Sequence, residues 1–243
     1  REKTGAGMLD VKKALDEADG DAEKAIEIIR VKGLKGIAKR EGRSATAGLI
    51  AAKVVEDGGS QVGVLVEVNA ETDFVAKNEK FIDFAAKVLD AAIASGAQTA
   101  EELAEAAADG GSVKELTDSM QAVIGEKIVV RRVARLAAPR VDTYLHRTNP
   151  DLPAQVAVLV GTDEAAAEVA HDIAMHIAAY SPLYLAREDV PEETVAKERA
   201  IAEETTRAEG KPEKAIPKIV EGRLSGFFKE NVLVDQAFAK DPK

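Results

Sequence analysis

The sequence predicts an α+β protein in which helices pack on small antiparallel sheets. Residues 49–55 and 62–68 are rich in Val, Ile and Leu, and the glycine-containing loop between them is typical of a β-hairpin. A long helical pattern follows, from residue 72 to about residue 95. Strand, strand and helix patterns recur in the same order over residues 141–180. This recurrence predicts two related α+β core units.

The first 35 residues predict a small helical module. Apolar side chains recur at helical spacing over residues 8–18, residues 19–21 form a turn signal, and a second apolar stripe covers residues 22–31. The last turn of an earlier helix precedes Gly5. Three short helices in this order resemble a ubiquitin-associated module. An ordinary helical cap on the next domain is the alternative interpretation.

Residues 36–48 predict a linker, because they mix Gly, Ser and Thr with basic residues. The basic residues could bind acidic protein or RNA, but a solvated linker is the favoured interpretation. The cations of this region are Lys32, Lys35, Lys39, Arg40 and Arg43.

The first core unit is predicted at residues 49–138. After the hairpin and the long helix, two helical patterns follow at 99–108 and 113–124. Residues 127–136 return to a strand pattern with imperfect alternation, which indicates that both faces of this strand are partly covered.

The second core unit is predicted at residues 139–243. It contains strand patterns at 141–146 and 155–160 and a helix at 163–180. An inserted helical hairpin is expected at about residues 191–230, with Gly210 at its turn. Pro217 is expected to delay or kink the second helix of this hairpin.

Composition limits the function classes. The chain has 243 residues, of which 46% are hydrophobic, so it can bury one large core or two modest ones. It has no cysteine, which excludes disulfides and thiolate chemistry and fits a cytoplasmic setting. The formal net charge of −10 disfavours direct binding of nucleic acid, and no apolar run is long enough to cross a membrane. The chain begins at Arg1 within a helical pattern, and we expect both ends to be incomplete.

The sequence predicts no metal site, no cofactor and no chemical enzyme. His171 and His176 are five positions apart, which places them roughly 140° apart around a helix and off a common face. His146 is distant from both in sequence. Phosphate-binding loops and a nucleophile elbow are missing from the sequence, and its many carboxylates fall mostly on polar helix faces.

Thr72-Asp73-Phe74-Val75 stands where a predicted strand gives way to a helix. From spacing alone, the favoured interpretation is structural: Thr72 or Asp73 caps the helix, and Phe74 belongs to the core. The stripe that would bury this ring continues, at helical spacing, with Phe81, Ala85, Val88 and Ala92.

Five short motifs stand out along the chain. They are Thr-Asp-Phe-Val-Ala-Lys-Asn at 72–78, Arg-Glu-Lys-Thr-Gly-Ala-Gly-Met-Leu-Asp at 1–10 with Lys-Lys-Ala-Leu at 12–15, Ile-Gly-Glu-Lys-Ile at 124–128 with Arg-Arg-Val-Ala at 131–134, Ile-Ala-Met-His at 173–176, and Gly-Lys-Pro at 210–212 with Lys-Ile-Val-Glu-Gly-Arg at 218–223. Together, and in their order along the chain, they resemble the bacterial elongation factor Ts family.

The resemblance implies guanine nucleotide exchange on elongation factor Tu, bound in its GDP-bound and nucleotide-free states. Asp73 and Phe74 would enter the GTPase near its Mg²⁺ site and disturb the Mg²⁺ and phosphate contacts of GDP. Thr72 and Val75 would complete the motif. The alternative function is that of a helical adaptor or peptide-binding module without exchange activity.

The resemblance also implies roles for residues outside this motif. Ile124 and Gly125 would form a supporting turn. His176 would touch the partner, with burial in the core as an equally open alternative. The helical hairpin would contact the partner or mediate self-association with a second copy. The N-terminal residues that would grip a helix of the GTPase domain are Arg1, Met8, Leu9 and Lys12.

Overall fold

Helices and small antiparallel sheets alternate along the chain in a computed structural model, which describes residues 2–241. This architecture confirms the predicted α+β class. The first of two compact units ends at His171, and the second begins at Asp172.

Most of the described helices and strands follow the predicted order, with ends that shift by a few residues. Two predicted helices are shorter than expected: the one at 163–180 begins only at Ala170, and the one at 99–108 ends at Glu105, because residues 107–108 pair with residues 111–112 in a short hairpin that was not predicted. The helices are α1 (Met8–Glu17), α2 (Ala22–Arg40), α3 (Asp73–Ala76), α4 (Glu79–Ser95), α5 (Ala100–Glu105), α6 (Val113–Ile124), α7 (Ala170–Tyr180), α8 (Glu192–Ala208) and α9 (Ile216–Asn231). The strands are β1 (Ala47–Asp57), β2 (Ser60–Ala70), β3 (Ala107–Ala108), β4 (Gly111–Ser112), β5 (Val129–Ala138), β6 (Arg140–His146) and β7 (Val156–Thr162).

The first unit is built on an antiparallel sheet with strand order β1-β2-β5. Alternate residues of β2 are buried beneath α4, because successive side chains of a strand point to opposite faces. Burial of each such apolar side chain contributes about 1.5–3 kcal/mol relative to exposure. The side chains at the centre of this core are Val62, Val64, Val66, Val68, Phe81, Phe84 and Val88.

The hairpin β6–β7 packs on the same sheet in the first unit, through the other face of β2. Gly63 permits this close approach: a Cβ at that position would lie 2.7 Å from Cδ2 of Leu159 and 2.8 Å from Cγ1 of Val141. β2 is therefore covered on both faces, by α4 and by the β6–β7 hairpin. The duplication of an α+β unit and the division at 138/139 stay predictions.

The long helix predicted over residues 72–95 is interrupted, which corrects the sequence analysis. The side chain of Asn78 accepts a hydrogen bond from the backbone N–H of Lys80 at 2.9 Å and thereby caps a new helix, α4. The apolar stripe that begins at Phe81 is buried. Phe74 lies before the interruption and projects into solvent, so the core interpretation of this ring is wrong.

The N-terminal module differs from its prediction at both ends. Residues 2–4 form a turn rather than the last turn of a helix, and α2 includes residues 36–40 of the predicted linker. Gly33, just before the predicted linker, serves helix packing, because a Cβ there would lie 3.1 Å from Cβ of Ala122 in α6. Residues 41–46 form the irregular connection to β1. The ubiquitin-associated character of this module stays a prediction.

In the second unit, α8 and α9 form the predicted helical hairpin with a small core of its own. Gly210 turns the chain between them with φ of +69°. Pro217 lies in the first turn of α9, which begins only at Ile216, so the expected delay of this helix is confirmed. The core side chains are Ala202, Ile216, Val220 and Leu224, and the partly buried ring of Phe228 packs against them.

The chain enters and leaves the helical hairpin through two paired segments. The backbone N–H of Leu183 donates to the carbonyl of Asn231 at 2.8 Å, and the N–H of Leu233 donates to the carbonyl of Tyr184 at 2.9 Å. Val234 N–H extends this pairing to the carbonyl of Leu185 at 3.2 Å. The two ends of the insertion are therefore joined at its base.

Gly48→Ala should destabilise the first unit by about 2–5 kcal/mol, through a strained backbone and an unavoidable clash. Gly48 has φ of +142°, and an added Cβ would lie 2.1 Å from the carbonyl oxygen of Val68, which belongs to the backbone and cannot turn away. Urea unfolding followed by circular dichroism measures the loss. Gly42→Ala is the matched control, because a Cβ there meets no described heavy atom within 4 Å. Equal stability of the two variants would contradict the clash.

Candidate functional site

The Asp-Phe loop (residues 71–75) leads from β2 into α3 and presents two side chains to solvent. Phe74 is 79% exposed, and Asp73 beside it is also exposed. The next two residues turn inward, since Val75 packs against the core of the first unit and Ala76 is buried. A phenyl ring in water forgoes about 1.5–3 kcal/mol that burial would contribute. The loop is thus anchored on one side and projects an unburied aromatic ring on the other.

Thr72 holds the Asp-Phe loop against the segment after α6. Its hydroxyl donates a hydrogen bond to Oε1 of Glu126 at 2.7 Å. Oε2 of the same carboxylate accepts the backbone N–H groups of Glu71 and Thr72, each at 3.1 Å. Because the Thr72 hydroxyl is engaged by Glu126 and Asp73 is the first helical residue, the predicted cap by either side chain is wrong.

Glu71 makes the reciprocal contact, from the Asp-Phe loop to the segment after α6. Oε1 of Glu71 accepts the backbone N–H of Lys127 at 2.6 Å and lies 3.3 Å from Nη1 of Arg43. The Lys127 ammonium donates to the carbonyl oxygens of Glu41 and Arg43. These bonds tie three segments together: the Asp-Phe loop, the turn after α6 and the connection between α2 and β1.

Several of the predicted linker cations therefore have partners inside the chain. Arg43 pairs with Glu71, Lys32 lies 2.5 Å from Asp10, and Arg40 donates to the carbonyl of Gln121 at 3.2 Å. Exposed pairs of this kind contribute little free energy individually. The bond from Arg40 to Gln121 joins α2 to α6, and the pair of Lys32 with Asp10 joins α1 to α2.

The turn after α6 delivers Glu126 to the Asp-Phe loop. Gly125 ends the helix with φ of +84°, a left-handed conformation that glycine adopts without strain. Its N–H donates to the carbonyl of Gln121 at 2.9 Å, and Ile124 packs against the core of the first unit. Ile124 and Gly125 were predicted as site residues; Glu126 was not, although it stands in the same motif, Ile-Gly-Glu-Lys-Ile.

Lys77 places a cation over the projecting ring. Its Nζ lies 5.3 Å from the centroid of Phe74. A cation–π contact at an exposed site is worth about 0.5–1 kcal/mol, which is less than the ring would gain by burial in a partner. The contact can therefore orient Phe74 in the free protein without preventing its insertion elsewhere.

The first turns of α1 form a second exposed apolar surface. Met8 is 67% exposed and Leu9 is 64% exposed, and Lys12 is exposed on the following turn. Arg1, which the sequence analysis grouped with them, lies outside the described residues.

His176 lies in the core of the second unit rather than on its surface. It is 3% exposed, and its ring stacks on Tyr180 with 4.7 Å between centroids. Nδ1 accepts the backbone N–H of Ala239 at 3.2 Å, so the proton sits on Nε2 and is donated to Oε1 of Gln236 at 2.9 Å. Of the two interpretations left open by the sequence, burial is the one observed, and the exposed aromatic residue beside it is Tyr180.

Within the described chain, 2–241, no group of three or more His, Asp and Glu side chains could hold a metal ion. The histidines have other partners: Nδ1 of His171 lies 2.9 Å from a carboxylate oxygen of Asp142, and Nδ1 of His146 lies 3.1 Å from the hydroxyl of Tyr144. In the same residues, each helix is too short or too polar to cross a membrane.

Comparison with known proteins agrees with the motif resemblance. A family profile described as Elongation factor TS matches residues 71–243. The chain is 68% identical over 245 residues to elongation factor Ts of Beutenbergia cavernae, with 100% of this chain and 87% of that relative covered. It is 64% identical over 246 residues to the protein of the same name from Micrococcus luteus, with the same coverage. Identity to the Kineococcus radiotolerans protein is 57% over 243 residues, again covering 100% and 87%.

Replacing Lys32 by Met should raise the pKa of Asp10 towards its ordinary value of 3.8. The hydrogen bond and the charge of Lys32 lower the pKa of this carboxyl in the folded protein. The pair therefore stabilises the α1–α2 arrangement above the unfolded pKa and loses its effect as pH falls through the lower, folded pKa. NMR titration of the Asp10 carboxyl carbon in the two proteins measures the change.

Lys13→Met is the matched control for this titration. Lys13 also lowers the pKa of Asp10, but less than Lys32 does. An equal rise in both variants would show that general positive charge, rather than the Lys32 contact, sets the pKa.

Proposed function

The chain belongs to the elongation factor Ts family, and we propose that it is the guanine nucleotide exchange factor of elongation factor Tu, the GTPase that delivers aminoacyl-tRNA. It would bind the GDP-bound GTPase and promote release of GDP during elongation in the cytoplasm. The nucleotide-free GTPase would be the second partner state. The activity is protein–protein binding, with no covalent bond made or broken and no cofactor.

The observation that supports this proposal is the exposed Asp73–Phe74 pair on an anchored loop. A GTPase holds GDP through backbone donors around the phosphates and through Mg²⁺. A phenyl ring that enters between side chains next to the Mg²⁺ site displaces them, and those contacts are lost. Burial of Phe74 in the partner offsets part of that loss. Asp73 would fix the direction of entry through hydrogen bonds.

Thermodynamic linkage between nucleotide and exchange factor determines how the exchange factor leaves the GTPase. A partner that lowers the affinity of a GTPase for nucleotide has its own affinity lowered by nucleotide to the same extent. The complex should therefore be tightest with nucleotide-free elongation factor Tu. Binding of GTP would then displace the exchange factor and complete the exchange.

Further contacts would come from the N-terminal module. Met8 and Leu9 offer exposed apolar surface and Lys12 a positive charge. We propose that these three side chains bind a helix of the GTPase domain. Ile124 and Gly125 would support the Asp-Phe loop indirectly, because the end of α6 that they form brings Glu126 to Thr72.

The second unit would contribute a further contact surface. Because His176 is buried, it would support that surface from within, and the exposed ring of Tyr180 would make the contact.

Phe74→Ala should slow the maximal rate of GDP release from elongation factor Tu by about ten-fold or more. Loss of a buried ring is worth about 1.5–3 kcal/mol, and each 1.36 kcal/mol is ten-fold in rate. Stopped-flow release of fluorescent GDP, over a range of exchange-factor concentrations, gives the maximal rate. The melting temperature should stay unchanged, because the ring is 79% exposed in the free protein.

The control for this variant is Leu145→Ala, which removes a 44% exposed side chain from β6 outside the loop. It should keep the parent rate. A folded Phe74→Ala protein with the parent rate would refute the role of the ring. If the parent chain binds elongation factor Tu without speeding GDP release, the adaptor function replaces exchange.

Met8→Ala with Leu9→Ala should raise the half-saturating concentration of the exchange factor about ten-fold and leave the maximal rate nearly unchanged. The reason is that this contact would be made equally before and during nucleotide release, so it contributes uniform binding. The same stopped-flow titration separates the two quantities. A lower maximal rate with unchanged half-saturation would assign the α1 surface to the release step instead.

A further inference from the structure

Glu126 occupies the junction between the Asp-Phe loop and the turn after α6. Both of its carboxylate oxygens are used within the chain: Oε1 by the hydroxyl of Thr72, and Oε2 by the backbone N–H groups of Glu71 and Thr72. The residue is half-buried. With its acceptors aimed at the loop, Glu126 is placed to act through Thr72 rather than by touching a partner.

The hydrogen bonds to Glu126 are stronger than neutral hydrogen bonds because their acceptor is charged. A carboxylate that accepts backbone N–H groups makes charge-assisted bonds, about twice as strong as neutral ones. The bonded donors immediately precede Asp73 and Phe74 in the chain. The bonds therefore fix the backbone direction from which both projecting side chains start.

The loop needs such a restraint, because its own secondary structure is weak. α3 spans only Asp73–Ala76, and the Thr72 hydroxyl that would usually cap such a helix is turned to Glu126. An unrestrained phenyl ring gains free energy by folding back on its own surface. A ring held outward in advance avoids the cost of ordering the loop at the moment of binding.

We propose that Glu126 is a positioning residue for nucleotide exchange: its carboxylate holds Thr72 so that Phe74 points outward before the partner arrives. This inference rests on the proposed function, since the projecting ring has a purpose only if it enters a partner. Glu71 strengthens the same restraint from the other side, through the N–H of Lys127.

The test compares Glu126→Ala, Glu126→Asp and Glu126→Gln in the fluorescent GDP release assay with intact elongation factor Tu. Glu126→Ala and Glu126→Asp should lower the maximal release rate about ten-fold, the scale of one or two lost hydrogen bonds to a charged group. The shorter Asp side chain cannot reach all three donors. Glu126→Gln keeps the length and one acceptor oxygen, so it should recover most of the rate. The half-saturating concentration should change less than three-fold in all of them, because the α1 surface is intact.

Combination with Phe74→Ala separates positioning from direct contact. If Glu126 acts through the Asp-Phe loop, removing it in the double variant Glu126→Ala with Phe74→Ala lowers the GDP release rate by a smaller factor than Glu126→Ala does by itself, because only the positioning of Asp73 is left to lose. Multiplied rate losses in the double variant would overturn the proposal. A parent-like rate for Glu126→Ala would also overturn it.

Two further variants separate loss of the Glu126 contact from a general effect of removing a carboxylate. Glu102→Ala is the matched control, because Glu102 also accepts a backbone N–H, from Gln98 at 2.7 Å, but stands in α5 outside the site. It should keep the parent rate. Thr72→Val preserves side-chain shape and removes only the hydroxyl bonded to Glu126, and it should lower the maximal rate in the same direction as Glu126→Ala.

Amide hydrogen exchange on the free protein tests the restraint without any partner. A peptide covering residues 70–77 should lose protection in Glu126→Ala and keep most of it in Glu126→Gln. Unchanged protection in Glu126→Ala refutes the restraint whatever the kinetics show. If the parent chain does not speed GDP release from elongation factor Tu, but Glu126→Ala loses protection as expected, the proposed function is refuted and the restraint by Glu126 stands.

Discussion

Two carboxylates that cross between distant segments determine the geometry of the site. Glu126 accepts hydrogen bonds from the backbone N–H groups of residues 71 and 72, and Glu71 accepts one from that of Lys127, across sequence separations of 54 to 56 residues. Each segment satisfies donors that the other leaves open, and backbone donors near a protein interior need such partners. The projecting ring of Phe74 can remain exposed because the chain just before it is held by these bonds.

The sheet provides the rigid base for this arrangement. The Asp-Phe loop leaves the end of β2, which is covered by α4 on one face and by the β6–β7 hairpin on the other. Asn69, near that end, donates to the carbonyl of Ala47 at 3.1 Å and accepts from Arg131, which also donates to the carbonyl of Ala45 at 2.7 Å. The starting point of the loop is therefore fixed by three strands and does not depend on the loop's own weak helix.

Local patterns in the sequence were sufficient for the strands, for most helices and for the motif that contains Phe74. β-branched runs and turn residues located β1, β2 and β7 within two residues of their ends. Periodicity failed at Asn78, because a cap can restart a helix within a continuous apolar stripe. The linker prediction also failed at Gly36, because this glycine lies within α2.

The partners of the site could not be derived from the sequence for a different reason. The bond from Thr72 to Glu126 joins residues that only the folded sheet and α6 bring together. Spacing along the chain carries no information about such a pair. The burial of His176 depends similarly on Gln236 and Ala239, which are far from it in sequence.

The paired segments at the base of the α8–α9 hairpin have an evolutionary consequence. Because residues 183–185 and 231–234 are hydrogen-bonded to each other, the hairpin is an insertion whose two ends are already joined. Its core of small and aliphatic side chains lies between the two helices themselves. A change in the length of this arm by whole helical turns would leave the bonds at its base intact, so the arm should tolerate insertion and deletion better than the sheet does.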